Sequence, residues 1–522
     1  MGITFELYTG TKIGVTSPSK EPNTAYLKFS DWDDYGYKTL FALVVFDSKG
    51  GRHDIGSIKI GCKNQNLGRA SALLNKRFKS LGEGFFSLGQ DEMYYRAIHS
   101  LDPSLRENVL RSLRDIVFDE EIYRSILMEE VFKTSLLRDV SLTSIEGQFR
   151  RILHGGAIRT EFHFKYKIPQ QRRVAGLTAE FHVVPDSNPP SNVHVLIGRN
   201  GVGKTHLLNN MVRALVANDK CENVGKFSIP LDKKRRPFTD SDVNQLFSGV
   251  VSVAFSAFDP FEPYSEKKDK SVGVRYSYIG LKRAINRGGG RGTPMSREML
   301  SNEFTRSLLS IITKGKFSRW ALAIKSLESD VIFRELSLTS SFSDYDENEL
   351  KVYAKKTFNK MSSGHAIVLL TVTKLVEKVE EKTLVLIDEP ESHLHPPLLS
   401  AFVRALSDLL SYRNGVAIVA THSPVVLQEV PRNCVYKISR SGLKATVQRP
   451  LIETFGENIG VLTREIFGLE VSESGYHKLL EQEIDKNLSY SKILKNFNGQ
   501  LGSEAKGILR SLILAIKSEE KE

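Results

Sequence analysis

Five short motifs, which follow one another from residue 198 onwards, constrain the fold of this chain more than any other feature. They are a glycine-rich octapeptide, a Ser-Ser-Gly motif, an apolar run ending in two acids, a His-rich stretch and a Thr-His-Ser-Pro tetrapeptide. They occupy residues 198–205, 361–365, 384–389, 390–396 and 421–424. Any one of them is compatible with chance. Together they predict a nucleotide-hydrolysing site that two subunits share.

The first motif has the composition and the setting of a phosphate-binding loop. An apolar strand is predicted before it at 193–197, and an amphipathic helix after it. Such a turn lets successive backbone N–H groups point at a phosphate, and the N-terminus of the helix adds its dipole. The residues expected to bind the nucleotide are Gly198, Asn200, Gly201, Gly203, Lys204 and Thr205. Lys204 would reach the β- and γ-phosphates, and the Thr205 hydroxyl would bind Mg²⁺.

A pair of acids ends the apolar run at 384–387. Four apolar residues predict a buried strand, and ligands lie at the carboxyl ends of such strands in open α/β sheets. Asp388, at the tip of the strand, is expected to hold Mg²⁺ through its water shell. Glu389, one residue on, suits a general base that activates the attacking water. The alternative is a strand that ends in a solvated Asp-Glu pair, and the phosphate loop upstream argues against it.

The motif at 361–365 resembles the signature of the ABC-type ATPases, which reads Leu-Ser-Gly-Gly-Gln. Ser362 stands for the Ser and Gly364 for the second Gly, whereas His365 departs from the Gln. The resemblance implies that Ser362 and Gly364 bind the γ-phosphate of an ATP held by the opposite subunit. It also implies that His422, in the Thr-His-Ser-Pro motif, contacts the γ-phosphate and senses hydrolysis. A plain helix start at 361–365 and a His without a ligand are the alternatives.

Two features around these motifs need a separate interpretation. His393 and His395 are compatible with zinc, but no Cys or acidic ligand nearby completes a four-coordinate set, so a zinc site is not expected. The ABC-type ATPases usually supply a Gln to Mg²⁺ from the loop after their second strand, and residues 253–259 contain none. Ser256 or Asp259 could take its place.

The composition is that of a soluble globular protein with a surplus of basic residues. Lys and Arg total 73 against 61 Asp and Glu, a formal net charge of +12. This favours an anionic partner such as nucleic acid, although ordinary scatter of surface charge gives the same sum. No apolar run of membrane-spanning length occurs, so no membrane association is expected. The three cysteines, Cys62, Cys221 and Cys434, are far apart, which favours reduced thiols in the cytoplasm.

The alternation of strand and helix patterns predicts an α/β fold. Its centre would be an ABC-type head with a mainly parallel sheet and helices on both faces. We expect a mixed α+β N-terminal domain at 1–170, the head at 171–451 and a helical C-terminal segment at 452–522. Strands are predicted at 20–62 and helices at 67–155, while residues 259–298 are expected to be irregular.

A basic insertion in the head, at about 219–345, is a candidate contact for nucleic acid. Between residues 267 and 297 it holds nine basic residues and one acid, with Tyr264, Tyr276 and Tyr278 interleaved. Basic side chains suit a phosphate backbone, and aromatic rings stack on bases. The basic run at 233–236 lies on the same insertion. A solvated loop or a surface for an acidic protein explains the same composition. The helical tail at 458–522 is a candidate surface for a partner or a dimer.

The His-rich motif and the compact insertion resemble the prokaryotic ABC-type ATPases of the overcoming-lysogenisation class. Within that class the nearest likeness is to the PtuA ATPases of Septu and Septu-like retron systems, with the ATPases of PARIS systems as the competing likeness. The resemblance covers residues 190–440. Many members carry a C-terminal nuclease domain, and the stretch after Leu451 is too short for one, so no nuclease in cis is expected.

The resemblance implies an ATPase that binds ATP and Mg²⁺, dimerises through its heads and gates a separate nuclease, such as an HNH protein, in anti-phage defence. A homodimer or higher oligomer is expected. Nucleic acid, either DNA or reverse-transcribed DNA/RNA, is the further expected partner. One alternative is an ATP-driven DNA-repair or structural-maintenance-like clamp without a toxic effector. Another is a sensor-scaffold that binds ATP without turnover.

Overall fold

A computed structural model describes most of the chain. The described residues are 2–8, 21–155, 161–172, 174–217, 221–229, 246–255, 261–264, 274–282, 294–341, 347–442, 444–468, 475–484 and 489–519. Their strands form a mixed N-terminal sheet, a small three-stranded sheet and a large sheet in the head. Within these ranges, no helix combines the length and the apolar composition needed to cross a lipid bilayer.

The N-terminal part of the chain contains a six-stranded sheet covered by short helices, and a separate pair of two-residue strands. Its strands are β1 (Thr4–Tyr8), β2 (Thr24–Phe29), β3 (Tyr37–Lys38), β4 (Leu40–Phe46), β5 (Arg52–Cys62), β6 (Gly68–Arg69), β7 (Arg77–Phe78) and β8 (Phe85–Gly89). The order in the sheet is β7-β1-β2-β4-β5-β8, and β3 pairs with β6 alone. The helices are α1 (Glu92–Ser100), α2 (Pro103–Ser112), α3 (Glu120–Ile126), α4 (Glu130–Thr134) and α5 (Arg150–Leu153).

Strand β8 corrects the prediction that residues 67–155 are helical. It pairs antiparallel with β5, and its Phe86 and Leu88 are fully buried. A five-residue strand carries little periodicity of its own, and its pairing partner lies far upstream in the sequence. The helices begin only at Glu92, where the Asp91 carboxylate accepts the N–H of Met93 and caps α1.

A three-stranded antiparallel sheet follows. It consists of β9 (Phe162–Ile168), β10 (Leu177–Val183) and β12 (Lys226–Ser228), in the order β10-β9-β12. The predicted domain boundary between residues 170 and 171 falls in the turn between β9 and β10. Both strands contribute to one hydrophobic cluster with the head, in which Phe164 and Phe181 stack at 4.9 Å between ring centroids. Strand β9 therefore packs with the head rather than with the N-terminal sheet.

The head is built on a seven-stranded sheet. Its strands are β11 (Val193–Ile197), β13 (Gly249–Ala254), β14 (Arg275–Gly280), β15 (Thr383–Asp388), β16 (Val416–Thr421), β17 (Val435–Ser441) and β18 (Lys444–Gln448). Their order is β14-β13-β15-β16-β11-β17-β18, and all neighbours are parallel except β17 and β18. Strand β14 corrects the expectation that 259–298 is irregular, because 275–280 pairs with β13 along its whole length.

Helices cover both faces of the head sheet. They are α6 (Lys204–Val212), α7 (Arg297–Thr313), α8 (Phe317–Leu327), α9 (Val331–Leu336), α10 (Leu338–Ser341), α11 (Glu347–Lys360), α12 (Ser363–Lys378), α13 (Pro396–Ser411) and α14 (Pro424–Leu427). Alternate residues of each strand face opposite sides: Val385 and Ile387 join the cluster under α7, α8 and α11–α13, while Leu384 and Leu386 join the cluster under α6. This arrangement confirms the predicted fold class.

Buried ion pairs join the N-terminal part to the head. The guanidinium of Arg413 lies 3.1 Å from carboxylate oxygens of both Asp91 and Glu92, and Arg319 also pairs with Asp91. Arg151 pairs with Glu381, two residues before β15. Charges this deeply buried are tolerated only when they are paired and hydrogen-bonded, so these contacts fix how the two parts meet.

The C-terminal tail is helical, as expected. Its helices are α15 (Ile459–Phe467), α16 (Gly475–Ile484), α17 (Tyr490–Asn496) and α18 (Ser503–Glu519). Leu462 and Ile466 on α15 pack into the head, whereas Ile484, Ile493 and Leu509 form a small cluster of their own. A role of this tail in docking stays a prediction.

Candidate nucleotide-binding site

The phosphate loop connects β11 to α6 at the carboxyl edge of the head sheet. Gly201 and Gly203 have φ angles of 78° and 97°, a left-handed conformation that residues with a Cβ rarely adopt. Gly198 is required for a different reason, since a Cβ there would lie 2.1 Å from the carbonyl oxygen of Ile438. The sequence motif therefore reflects two backbone conformations and one close approach to β17.

Helix α6 begins directly at Lys204 and points its N-terminus at the loop. No side chain caps it, because its N-cap residue is Gly203, so the first-turn N–H groups are left for an anion. Asn200 and Gly201 are exposed at the tip of the loop, and Thr205 is half-buried. This is the arrangement expected of a site for a phosphate group.

The ammonium group of Lys204 is held inside the loop. Its Nζ donates to the carbonyl oxygens of Gly198 at 3.0 Å and Arg199 at 3.1 Å, and it lies 2.9 Å from Nε2 of His422. Burial lowers the pKa of Lys204, while the nearby carboxylates of Glu389, Asp388 and Glu391 act in the opposite direction. The lysine is thus a desolvated cation that faces a group of acids.

The two acids predicted from the sequence lie at the end of β15. Asp388 is 9% exposed and lines a narrow cavity of about 40 Å³ together with Thr205. A carboxylate and a hydroxyl are hard oxygen donors, which suit Mg²⁺. Glu389 has a φ of 46°, a strained value for a residue with a side chain, and its N–H donates to the Ala420 carbonyl at 2.8 Å. The strained turn directs its carboxylate towards His422.

His422 links the acids to the lysine. Its Nε2 lies 3.3 Å from Oε1 of Glu389, and its backbone N–H donates to Oε1 of Glu391 at 2.5 Å. Glu391 is a site residue to which the sequence analysis gave no individual role. The signal for it was a third acid close behind Asp388 and Glu389, because a tight turn at a strand end keeps such a residue close to the same edge.

The signature motif lies at the N-terminus of α12. Ser362 caps that helix and is exposed, whereas Met361, Gly364 and His365 are buried. A Cβ at Gly364 would lie 2.5 Å from the carbonyl oxygen of His393, so this glycine lets the His-rich loop pack against the signature. Contact of Ser362 and Gly364 with a γ-phosphate stays a prediction.

His365 is hydrogen-bonded on both sides of its ring. Its Nδ1 lies 2.7 Å from Oγ of Ser362, and its Nε2 lies 3.1 Å from Oδ1 of Asp330. Nε2 of His395 lies 3.5 Å from Oδ2 of the same aspartate. The absence of a nearby acidic ligand, which argued against a metal at His395, therefore does not hold in the folded chain. His393 lies apart, with Nε2 3.3 Å from the carbonyl oxygen of Phe255.

The structure thus brings together Lys204, Asp388, Glu389 and His422 at one edge of the sheet. Across the described ranges, no hydrogen bond or ion pair joins Ser362 to the phosphate loop of its own chain. Its hydroxyl is hydrogen-bonded to Nδ1 of His365 instead. Completion of the site by a second chain stays a prediction.

The basic insertion is less open than its composition suggests. Arg275 donates to carbonyl oxygens of Leu137 and Val140, Lys282 is 7% exposed, and Arg297 donates to the Met361 carbonyl. Tyr276 is buried and packs edge-on against Tyr264. These side chains stabilise the fold, so they do not support the predicted nucleic-acid contact. The other six basic residues of 267–297, the run 233–236, Ser256 and Asp259 lie outside the described residues.

Known proteins resemble this chain in sequence and in fold. The family model described as "AAA domain, putative AbiEii toxin, Type IV TA system" matches residues 317–428, which include the signature, both acids and His422. Similar solved structures include an ATP-binding cassette of an ABC transporter in its ADP conformation (12% identity, TM-score 0.31, 60% of this chain and 98% of that chain). A nucleotide-free ATP-binding cassette from an ABC transporter is similar at 14% identity and a TM-score of 0.29, over 60% of this chain and 98% of that one.

Fold and site together define an ATPase of the ABC/AAA type. The chain belongs to the same family as protein ea59 of Escherichia phage lambda, to which it is 44% identical over 515 residues, or 95% of this chain and 96% of that protein. It is also 22% identical over 341 residues to the Septu protein PtuA of Bacillus mycoides (strain KBAB4), covering 60% of this chain and 45% of that protein.

Proposed function

We propose that this protein is an ATP-driven switch whose heads close in pairs around shared nucleotides and thereby gate a separate nuclease in anti-phage defence. The observation that carries the ATPase part is the contact chain Lys204–His422–Glu389, with 2.9 Å and 3.3 Å between the facing atoms. In this proposal the lysine is the cation for the phosphates and the glutamate is the carboxylate for the water.

The residues of the chain have distinct roles in this proposal. Lys204 leaves its bonds to the loop carbonyls and turns to the β- and γ-phosphates. Glu389 accepts the proton of the attacking water, and His422, which touches both side chains, reports whether the γ-phosphate is present. Mg²⁺ held by Thr205 and Asp388 would neutralise charge on the phosphates. Glu391 holds the backbone of His422 in place.

The pairing of heads is supported by the exposure of Ser362. A serine at the N-terminus of a 16-residue helix is well placed to bind an anion. Because no hydrogen bond within the described residues joins it to the phosphate loop of its own chain, a second copy is the source of the phosphate in this proposal. The head pair is therefore symmetric, with each chain supplying both halves.

The role in defence is supported by the similarity to the Septu protein PtuA and by the His-rich motif. We assign the chain to the overcoming-lysogenisation class on the same grounds. Protein ea59, which this chain matches over nearly its whole length, is a phage protein. The proposal therefore includes defence of a resident phage against a second phage. A separate nuclease, such as an HNH protein, would be the effector, with nucleic acid as a further ligand.

Substitution of the general base tests the ATPase part. Glu389→Gln keeps the shape of the side chain and removes its proton acceptor. We expect ATP turnover to fall by about 10²–10⁴-fold, with ATP retained and the mass in size-exclusion chromatography with light scattering doubled. Lys204→Ala is the matched control, because it should bind no ATP and show no mass increase. Turnover by Glu389→Gln at the parent rate would show that the base is assigned wrongly.

Affinity purification from the native host tests the defence part. The tagged Glu389→Gln protein is purified with ATP, and the products of adjacent genes are identified by mass spectrometry. We expect a nuclease to co-purify, and to be lost in the Lys204→Ala control. Recovery of DNA alone, with no nuclease, would favour an ATP-driven DNA clamp instead.

A further inference from the structure

Three potential metal ligands converge where the signature motif meets the His-rich loop. Asp330 is the N-cap of α9, His365 lies in the first turn of α12, and His395 is the N-cap of α13. One ligand atom from each residue lies within 4.8 Å of the other two. We propose that Asp330, His365 and His395 form a binding site for Zn²⁺.

The spacing of these atoms fits a tetrahedral ion. Zn–N and Zn–O bonds of about 2.0–2.1 Å place neighbouring ligands about 3.3 Å apart in a tetrahedron. The observed separations are 3.1 Å from Oδ1 of Asp330 to His365 Nε2 and 3.5 Å from Oδ2 of Asp330 to His395 Nε2. Rotation of the carboxylate would present one oxygen to both imidazoles and close the set around one ion.

The donor set selects the kind of ion. Two imidazoles and one carboxylate suit Zn²⁺, whereas Mg²⁺ and Ca²⁺ prefer oxygen ligands. The aspartate is already oriented, because its Oδ1 accepts the N–H groups of Ile332 at 2.9 Å and Phe333 at 3.3 Å. The side chain of His395 is 50% exposed, so an ion can enter from solvent and keep an open fourth position.

A bound ion would also set the hydrogen bond of the signature serine. A carboxylate only accepts, so without an ion the tautomer of His365 that bonds to Asp330 carries its hydrogen on Nε2. Its Nδ1 is then an acceptor and takes the O–H of Ser362, 2.7 Å away.

With Zn²⁺ on Nε2, the ring hydrogen moves to Nδ1 and donates to Oγ of Ser362. The serine O–H is then free to point outward. His395 would lose only a long contact of its Nδ1 with the N–H of Leu398, at 3.4 Å. This effect on Ser362 rests on the proposed function, in which that hydroxyl meets a γ-phosphate, while the zinc site itself does not.

A matched pair of variants tests the site. His395→Asn removes one ligand and keeps a residue that caps helices well. His393→Asn makes the same change two positions away, at a histidine outside the cluster. The full-length proteins are stripped with a chelator and titrated with Zn²⁺ against a chromophoric chelator, without nucleotide.

We expect about one equivalent of tight Zn²⁺ per parent chain, retained in His393→Asn and lost in His395→Asn. Co²⁺ should give the visible absorption of a tetrahedral site in the variants that bind Zn²⁺, which are the parent and His393→Asn. His395→Asn should not show this absorption. A parent that binds no Zn²⁺ at micromolar concentration, or equal binding by parent and His395→Asn, would overturn the proposal.

The effect on Ser362 is read separately, as ATP turnover with and without one equivalent of Zn²⁺. We expect the ion to change the rate in the parent and leave His395→Asn unchanged. Zinc binding without any change in rate would keep the site and refute its link to the signature. Because binding is measured without ATP, it stands or falls independently of the ATPase proposal.

Discussion

At the scale of single residues, Gly364 shows that packing can be the reason for a glycine in a binding motif. Its position in the signature suggested a backbone contact with phosphate. In the folded chain it is buried, and the carbonyl oxygen of His393 occupies the place that a side chain would need. The glycine therefore sets how closely the His-rich loop approaches the signature.

Gly364→Ala tests this packing role. A Cβ 2.5 Å from the His393 carbonyl oxygen forces the loop or α12 to shift. We expect a loss of about 1–3 kcal/mol in the free energy of unfolding, measured by urea denaturation. Ser363→Ala, at the exposed neighbour, should change it by less than about 0.5 kcal/mol. Equal stability of both variants would contradict the packing explanation.

The buried imidazole of His194 should make the head less stable at acid pH. Burial on β11 is the main cause that lowers the pKa of this histidine from 6.5 to about 3. Between these values the unfolded chain takes up a proton that the folded chain refuses, so stability falls as the pH falls. The loss from this group is about 1.4 kcal/mol per pH unit.

His194→Met replaces the imidazole with an apolar side chain of similar size. Between pH 6.5 and 4.5 its urea-unfolding free energy should fall less steeply than that of the parent, by about 1.4 kcal/mol per pH unit. Parallel pH profiles for parent and His194→Met would refute the assignment.

At the scale of elements, the buried ion cluster decides how the N-terminal part meets the head. Burial, and next the charge of Asp91, raise the pKa of Glu92 to about 7, although Arg319 and Arg96 act against the shift. Arg413 is 1% exposed and contacts both acids. Removing it leaves two carboxylates in the interior with less compensation.

Arg413→Met should therefore destabilise the protein by about 3–5 kcal/mol. The control is Arg404→Met, which breaks a half-exposed pair with Glu429 and should cost at most about 1 kcal/mol. Urea denaturation measures both, and limited proteolysis should cut between the N-terminal part and the head first in Arg413→Met. Similar losses in the two variants would show that the buried cluster contributes little.

The same scale shows what could be predicted from the sequence. Strands β11, β15 and β16 are continuous apolar runs that end in polar motifs, so their position and the site residues at their ends follow from local pattern. Strands β8 and β14 were not predicted, because each is short and is fixed by a partner strand distant in the sequence.

Long-range contacts explain the other omissions. Asp330 lies far from His365 and His395 in the sequence, and the three side chains meet only in the folded chain. The pairing of Arg413 with Asp91 spans even more of the chain. No local period encodes either contact. Arg275 and Arg297 of the basic insertion likewise bond to backbone carbonyls of other elements, while nucleic-acid contact by the insertion stays a prediction.

At the scale of the whole molecule, strand β15 connects two kinds of contact. Two residues before it, Glu381 accepts the N–H of Gln148 at 2.9 Å and pairs with Arg151, both from the N-terminal part. At its end lie Asp388 and Glu389. The strand that leads to the proposed general base therefore begins at a contact with the N-terminal part.

The central claim is that two copies complete each ATP site, and mixing two inactive variants tests it most directly. Lys204→Ala removes the phosphate lysine, and Ser362→Arg blocks the exposed signature. Each variant alone should lack ATP turnover. In a mixed pair both changes fall in one site and leave the other intact, so an equimolar mixture should regain about one quarter of the parent rate. Two results together would contradict the shared site. Ser362→Arg alone would be as active as the parent, and the mixture would be no faster than the mean of the two variants.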